Sequence, residues 1–178
     1  VDPVGACVGI RGNRVKNIIR ELNNEKIDII PYAEDPAILL QNAMQPIEIK
    51  KMFISEDKST INIIVADDDY PAALGKRGMN ARLNGDLAEV ELQVQKMSQY
   101  QAAMNIERAQ IAQSEDPTLD EKLSIEGISS MIIESLVSAG YDTQRKVLNS
   151  TADQLAKIPE ISLQMADKIL EQIRKKRV

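Results

Sequence analysis

Gly9-Ile10-Arg11-Gly12 and Gly75-Lys76-Arg77-Gly78 decide the reading of this chain. Each is a four-residue loop bounded by glycines and set between two apolar stretches of helical spacing. A link this short between helices needs permissive backbone dihedrals, and a missing Cβ lets another backbone approach closely. The amides opening the following helix then face outward with a dipole that favours anions. Arg11, Lys76 and Arg77 lie between the glycines, and Arg14, Lys16 and Arg82 follow in the next turns. One such loop is a weak signal, because glycines at this spacing also arise in ordinary helix-capping turns. Two of them, each with cations inside and each followed by helix then strand, form an internal repeat of organisation.

Upstream of the first loop lies the apolar run Val4 to Val8, and downstream Val15, Ile18, Ile19 and Leu22 recur at helical spacing. The isoleucine-rich stretch from Glu25 to Tyr32 predicts a strand. Glu34-Asp35-Pro36 opens a helix with proline suited to its first turn. Two strands follow around the polar turn Glu56-Asp57-Lys58-Ser59, the first alternating irregularly. Asp67-Asp68-Asp69 precedes the helix that leads into the second loop; adjacent carboxylates at such a junction read as caps and solvated charge. The helix after the second loop contains Asn84-Gly85-Asp86, and glycine there predicts a short or frayed helix. Val90, Leu92 and Val94 alternate with polar residues, a half-buried strand.

Beyond it the Gln-rich stretch reads as a helical or partly ordered linker, and Asp116-Pro117 opens a wholly helical domain. Thr143, Ser150 and Ser162 are expected as N-caps, and Gly140 as the stop of a helix over residues 130–139. The last helix ends in Arg174-Lys175-Lys176-Arg177, cations where the helix dipole favours them.

Composition narrows the chemistry. The 178 residues carry a net charge of −5, so phosphate contacts must come from a few locally placed cations. With one Phe, four Tyr and no Trp, aromatic base-stacking platforms are disfavoured. There is no His, which removes Ser-His and Cys-His nucleophilic pairs, so no catalytic residue is expected. The single Cys7 makes no internal disulfide or zinc site, and its apolar surroundings predict a small buried hydrophobe. No cofactor and no metal site is expected. No stretch reaches membrane-span length and no signal peptide is visible, so no membrane association and a reducing cytoplasm are expected. The chain opens without Met inside an apolar segment and reads as a fragment.

KH modules use a GxxG loop of this kind to clamp about four backbone nucleotides of single-stranded RNA. The runs from Val1 to Val15 and from Ala73 to Leu83, with Glu25 to Ile30 and Ser55 to Asp68, resemble the paired KH modules of the NusA family of bacterial transcription factors. The resemblance implies a cytoplasmic protein, acting as a monomer, that binds nascent RNA and RNA polymerase and modulates pausing, termination and antitermination. It further implies RNA contacts at Gly9, Ile10, Arg11, Gly12, Arg14, Lys16, Gly75, Lys76, Arg77, Gly78, Asn80 and Arg82. The family carries a polymerase-binding domain and an S1 domain that do not occur in this sequence. By the type II order (helix, two strands, two helices, strand), the first module lacks its opening helix and two strands. RNA grip is therefore expected to centre on the second loop.

Residues 123–129 and 155–162 resemble the hairpins of a tandem helix-hairpin-helix domain. The second hairpin has Glu160 where glycine is usual, and a carboxylate there repels phosphate. A protein-interaction role toward antitermination or other Nus-type factors is favoured over DNA binding. The expected fold is α+β: two type II KH-like modules, the first truncated, then a small all-α helix-hairpin-helix-like domain. The expected parts are residues 1–33, 34–96, the linker 97–117, and 118–178. A DNA-repair or recombination accessory protein and a pure adaptor are the competing readings.

Overall fold

The computed structural model describes residues 2–176, which fall into two compact units that divide after Gln101. The first begins with α1 (Pro3–Val8), capped by the Asp2 carboxylate accepting from the Val4 amide at 3.1 Å. A tight turn over Ile10–Gly12 leads into α2 (Asn13–Glu21). No residue of α1 or α2 is buried, and Cys7 is exposed, against the expectation of a buried thiol. An apolar stripe is buried only where another element covers it, and no strand among the described residues lies in this module to do so. The same reason overturns the strand expected over Glu25 to Tyr32: that segment is extended but unpaired, since isoleucine content cannot replace a hydrogen-bonding partner. Its end is nevertheless anchored, with Ile30 and Ala33 packed on the next core and the Pro31 carbonyl accepting from Asn42 Nδ2 at 3.0 Å.

The second module is complete. α3 (Pro36–Met44) starts at Asp35, whose carboxylate accepts from the Ala37 amide at 2.8 Å. Strands β1 (Ile49–Ile54) and β2 (Thr60–Val65) form an antiparallel hairpin. Its register slips between Ile49 and Lys51, which explains the irregular alternation of β1. The turn is held by Asp57, which accepts from the Ser55 and Ser59 hydroxyls at 2.6 and 2.7 Å and from the Ser59 amide at 3.1 Å. α4 (Tyr70–Leu74), the loop, α5 (Met79–Ala88) and β3 (Glu91–Lys96) complete the order helix, two strands, two helices, strand. β3 lies parallel to the central β2. Ile61, Ile63 and Val65 point to the helices and form the core with Leu39, Leu40 and Met44.

α5 is not short. It runs through Gly85, which is buried where the helix crosses β3; a Cβ there would stand 2.8 Å from the Val90 carbonyl oxygen. Glycine weakens the helix locally but permits the close approach. Contrary to the sequence reading, the carboxylates at the junction do not cap α4 through a side chain; Asp67 reaches the start of a distant helix instead. It accepts from the Ser98 amide at 3.0 Å, in the first turn of α6 (Met97–Gln113), and hydrogen bonds from the Ser98 hydroxyl and then this amide hold its carboxyl below the usual range.

In the second unit, Ile111 of α6 packs on a core formed by Leu119, Leu136, Leu148, Leu155 and Ile169 among others. Arg145 anchors the same region: its guanidinium donates to the carbonyls of Ile111 (2.6 Å), Ser114 (2.8 Å) and Asp116 (3.3 Å) and to both Asp120 carboxylate oxygens (2.7 and 2.8 Å). The stretch read as a linker is thus helical over most of its length and contributes to this core. α7 (Ser130–Ser138), α8 (Gln144–Leu148), α9 (Ala152–Leu155) and α10 (Leu163–Lys175) build the all-α domain. Thr143 and Ser162 cap α8 and α10 as expected. Ser150 does not cap; Thr151 takes that place in a capping box with Gln154, and the buried Ser150 hydroxyl donates to the Val147 carbonyl at 2.6 Å. Arg174 pairs with Glu107 at 2.8 Å and Lys175 with Glu171 at 3.2 Å, so these two tail cations are engaged within the fold. Arg177 lies outside the described residues.

Candidate nucleic-acid interface

The two loops have the same backbone. Gly9 has φ 74° and ψ 172°, and Gly75 has φ 72° and ψ 173°. This combination lies in a region open in practice to glycine alone. Arg11 and Arg77 are left-handed at φ 54° and 55°, and Gly12 and Gly78 follow at φ 74° and 76°. Aligning the loops pairs Arg14 with Asn80 and Lys16 with Arg82.

This turn projects the residues between the glycines outward. Ile10 is 85% exposed, and Arg11, Lys76 and Arg77 are exposed as well. The first amides of α2 and α5 follow directly, with Lys16 and Arg82 exposed one turn further. Guanidinium, ammonium and helix-start amides on an open, Cβ-free turn suit a sugar-phosphate backbone.

Arg14 and Asn80 are placed differently from the other expected contacts. Arg14 Nη1 donates to the Ala6 carbonyl at 2.7 Å, and Asn80 Nδ2 donates to the Ala72 carbonyl at 2.8 Å. Each bond runs from the helix after its loop to the helix before it. Neither accepting carbonyl was singled out from the sequence; the signal available was the alignment of the loops, which sets unlike donors at one position.

In the helical domain, Gly127 and Glu160 stand at matching positions of the two hairpins, with φ 75° and 73°. Glu160 therefore holds the left-handed conformation that glycine supplies in the first hairpin, and its carboxylate accepts from the Ser135 hydroxyl at 3.4 Å. Among the described residues no group of three or more His, Cys, Asp or Glu is placed to hold a metal ion. Within the same residues no helix is long and apolar enough to cross a membrane.

The architecture defines a KH-type protein with a helix-hairpin-helix domain at its C-terminal side. Residues 1–32 match the NusA-like first KH domain, 36–102 the NusA-like second KH domain, and 119–175 the SAM-like helix-hairpin-helix tandem. The chain is 32% identical over 185 residues to the transcription termination/antitermination protein NusA of Rickettsia conorii, covering 99% of this chain and 36% of that protein. It is 44% identical over 101 residues to the protein of the same name from Halalkalibacterium halodurans, covering 57% of this chain and 26% of that one. The chain belongs to the NusA family. It spans about a third or less of the length of these curated relatives.

Proposed function

We propose that this chain is the RNA-gripping portion of a bacterial transcription factor that modulates pausing, termination and antitermination by RNA polymerase. The observation that carries the proposal is the repeated loop, in which one backbone conformation twice presents exposed cations beside a helix start. Gly9, Ile10, Arg11, Gly12 and Lys16 form one phosphate-facing surface, and Gly75, Lys76, Arg77, Gly78 and Arg82 the other. Grip centres on the second loop, whose module has its own sheet and two cations between the glycines. The chain clamps rather than catalyses, as a cytoplasmic monomer without cofactor. Its partners are single-stranded nascent RNA and RNA polymerase.

The helical domain is read as a protein-interaction module toward antitermination or other Nus-type factors. Glu160 at the tip of the second hairpin supports this over duplex DNA binding, because it sets a carboxylate where a phosphate would approach. The test is a competition by fluorescence anisotropy between a short adenine-rich single-stranded RNA and duplex DNA. Preference for the single strand is expected. Preference for the duplex favours the repair or recombination alternative, and binding of neither, with polymerase binding retained, favours a pure adaptor.

A further inference from the structure

The two glycines of each loop do different work. A Cβ added at Gly75 would stand 2.5 Å from Asn80 Cγ and 2.8 Å from the Asn80 amide nitrogen. At Gly9 it would stand 2.8 Å from Arg14 Cγ. At Gly78 it would meet nothing within 4 Å, and at Gly12 only Lys16 Cε at 3.8 Å. The space over the first glycine is thus filled from within the protein, and the space over the second is open.

What fills it is the side chain that reaches back to the preceding helix. The last carbonyls of a helix have no intrahelical partner. Gly9 N–H satisfies Gly5 and Gly75 N–H satisfies Pro71, which leaves Ala6 and Ala72 to be met from elsewhere. Arg14 and Asn80 meet them, crossing the bare face of the first glycine on the way. Arginine and asparagine share little except an N–H donor, yet they close the same bond around the same turn.

We infer that Arg14 and Asn80 are positioning residues, internal braces that hold each loop in its phosphate-facing form, and that they are not themselves phosphate ligands. The first glycine seats the brace, and the second leaves room for the bound backbone. This inference rests on the RNA reading above for its functional consequence, but the brace itself is measurable without RNA.

The experiment uses the full chain with Asn80→Ala, Arg14→Ala and Arg14→Asn. It measures binding of a labelled adenine-rich single strand across a salt series, and amide hydrogen exchange of the loops without RNA. Each alanine variant should lower affinity by about tenfold, the scale of one lost hydrogen bond, at an unchanged salt slope, with faster exchange at its own loop. Arg14→Asn, which keeps the donor and drops the charge, should recover the affinity that Arg14→Ala loses, at the wild-type slope. A salt slope reduced by about 0.7 in Arg14→Asn would mark a lost phosphate contact and overturn the inference. So would wild-type affinity in Asn80→Ala. If Asn80→Ala does not fold by circular dichroism, the Arg14 pair decides. If the wild type binds no single strand, the RNA reading fails by itself; unchanged loop exchange in the alanine variants then overturns the brace, and accelerated exchange upholds it.

Discussion

Replacing Gly85 with alanine sets two effects of known sign against each other. In an open helix the change stabilises by about 1 kcal/mol, the difference in helix propensity between the two residues. Here the new Cβ would stand 2.8 Å from the Val90 carbonyl oxygen, 3.3 Å from Leu92 Cβ and 3.4 Å from the Leu92 amide nitrogen. Two of those three are backbone atoms, and that backbone cannot retreat freely. Glu91 pairs with Thr60 in the parallel ladder and donates to the Ser59 carbonyl at 2.8 Å, while the Val90 amide donates back to Gly85 at 3.0 Å. Overpacking a well-ordered contact costs about 1–3 kcal/mol. The clash should win, leaving a net destabilisation on the order of 1 kcal/mol. Asp86→Ala, at an exposed position of the same helix, feels propensity without the clash and should stabilise by about 0.5 kcal/mol. Native-state hydrogen exchange of the β2 amides reads the second module separately from the helical domain. Faster exchange in Gly85→Ala with slower exchange in Asp86→Ala is expected. A slowed Gly85→Ala would refute the idea that close helix–strand approach dictates glycine there.

Three further outcomes follow from the geometry. Arg145→Met removes the donor shared by the Ile111, Ser114 and Asp116 carbonyls, so the helical domain should melt at a lower temperature, with faster exchange over residues 111–120; an unchanged melt would count against its anchoring role. Leu148→Ala empties a fully buried site in the same core and should cost about 2–5 kcal/mol by denaturant melting, with RNA affinity unchanged. Asp57 is held at about 2 against an ordinary 3.8, chiefly by the Ser55 and Ser59 hydroxyls, and Asp67, Asp120 and Asp142 are also lowered, through hydrogen bonds from Ser98, Arg145 and Lys146. Because these folded values lie below the unfolded one, their stabilisation is complete above about pH 4 and is lost as pH falls toward 2. Asp57→Asn should flatten that acid limb in a pH-dependent melt, and an unaltered limb would contradict the assignment.

Local signals in the sequence were read correctly where local physics decides. Glycine spacing located both loops, polar caps at Thr143 and Ser162 located two helix starts, and alternation located the strand ending in the second module. Features that depend on a partner were not legible. Residues 25–32 have strand composition but no strand among the described residues to pair with, and Cys7 sits on an apolar stripe that nothing there covers. Gly85 looked like a helix weakness because the strand it touches is remote in kind, though only a few residues on. Ser150 and Thr151 are both competent caps, and burial of the first left the second to serve. At the site, the cations between the glycines could be found by spacing, whereas the brace required knowing that the side chains of Arg14 and Asn80 turn back over their loops.

The central claim is that the paired loops grip single-stranded RNA through the residues between their glycines. Its most direct test is the affinity of a short adenine-rich RNA for the chain carrying Asp in place of Ile10, Arg11, Lys76 and Arg77, measured beside circular dichroism. All four positions are exposed, so the fold should be unchanged while binding is lost. The Lys76-Arg77 pair alone should account for most of the loss. Wild-type affinity in the fourfold variant, with the fold intact, would contradict the account.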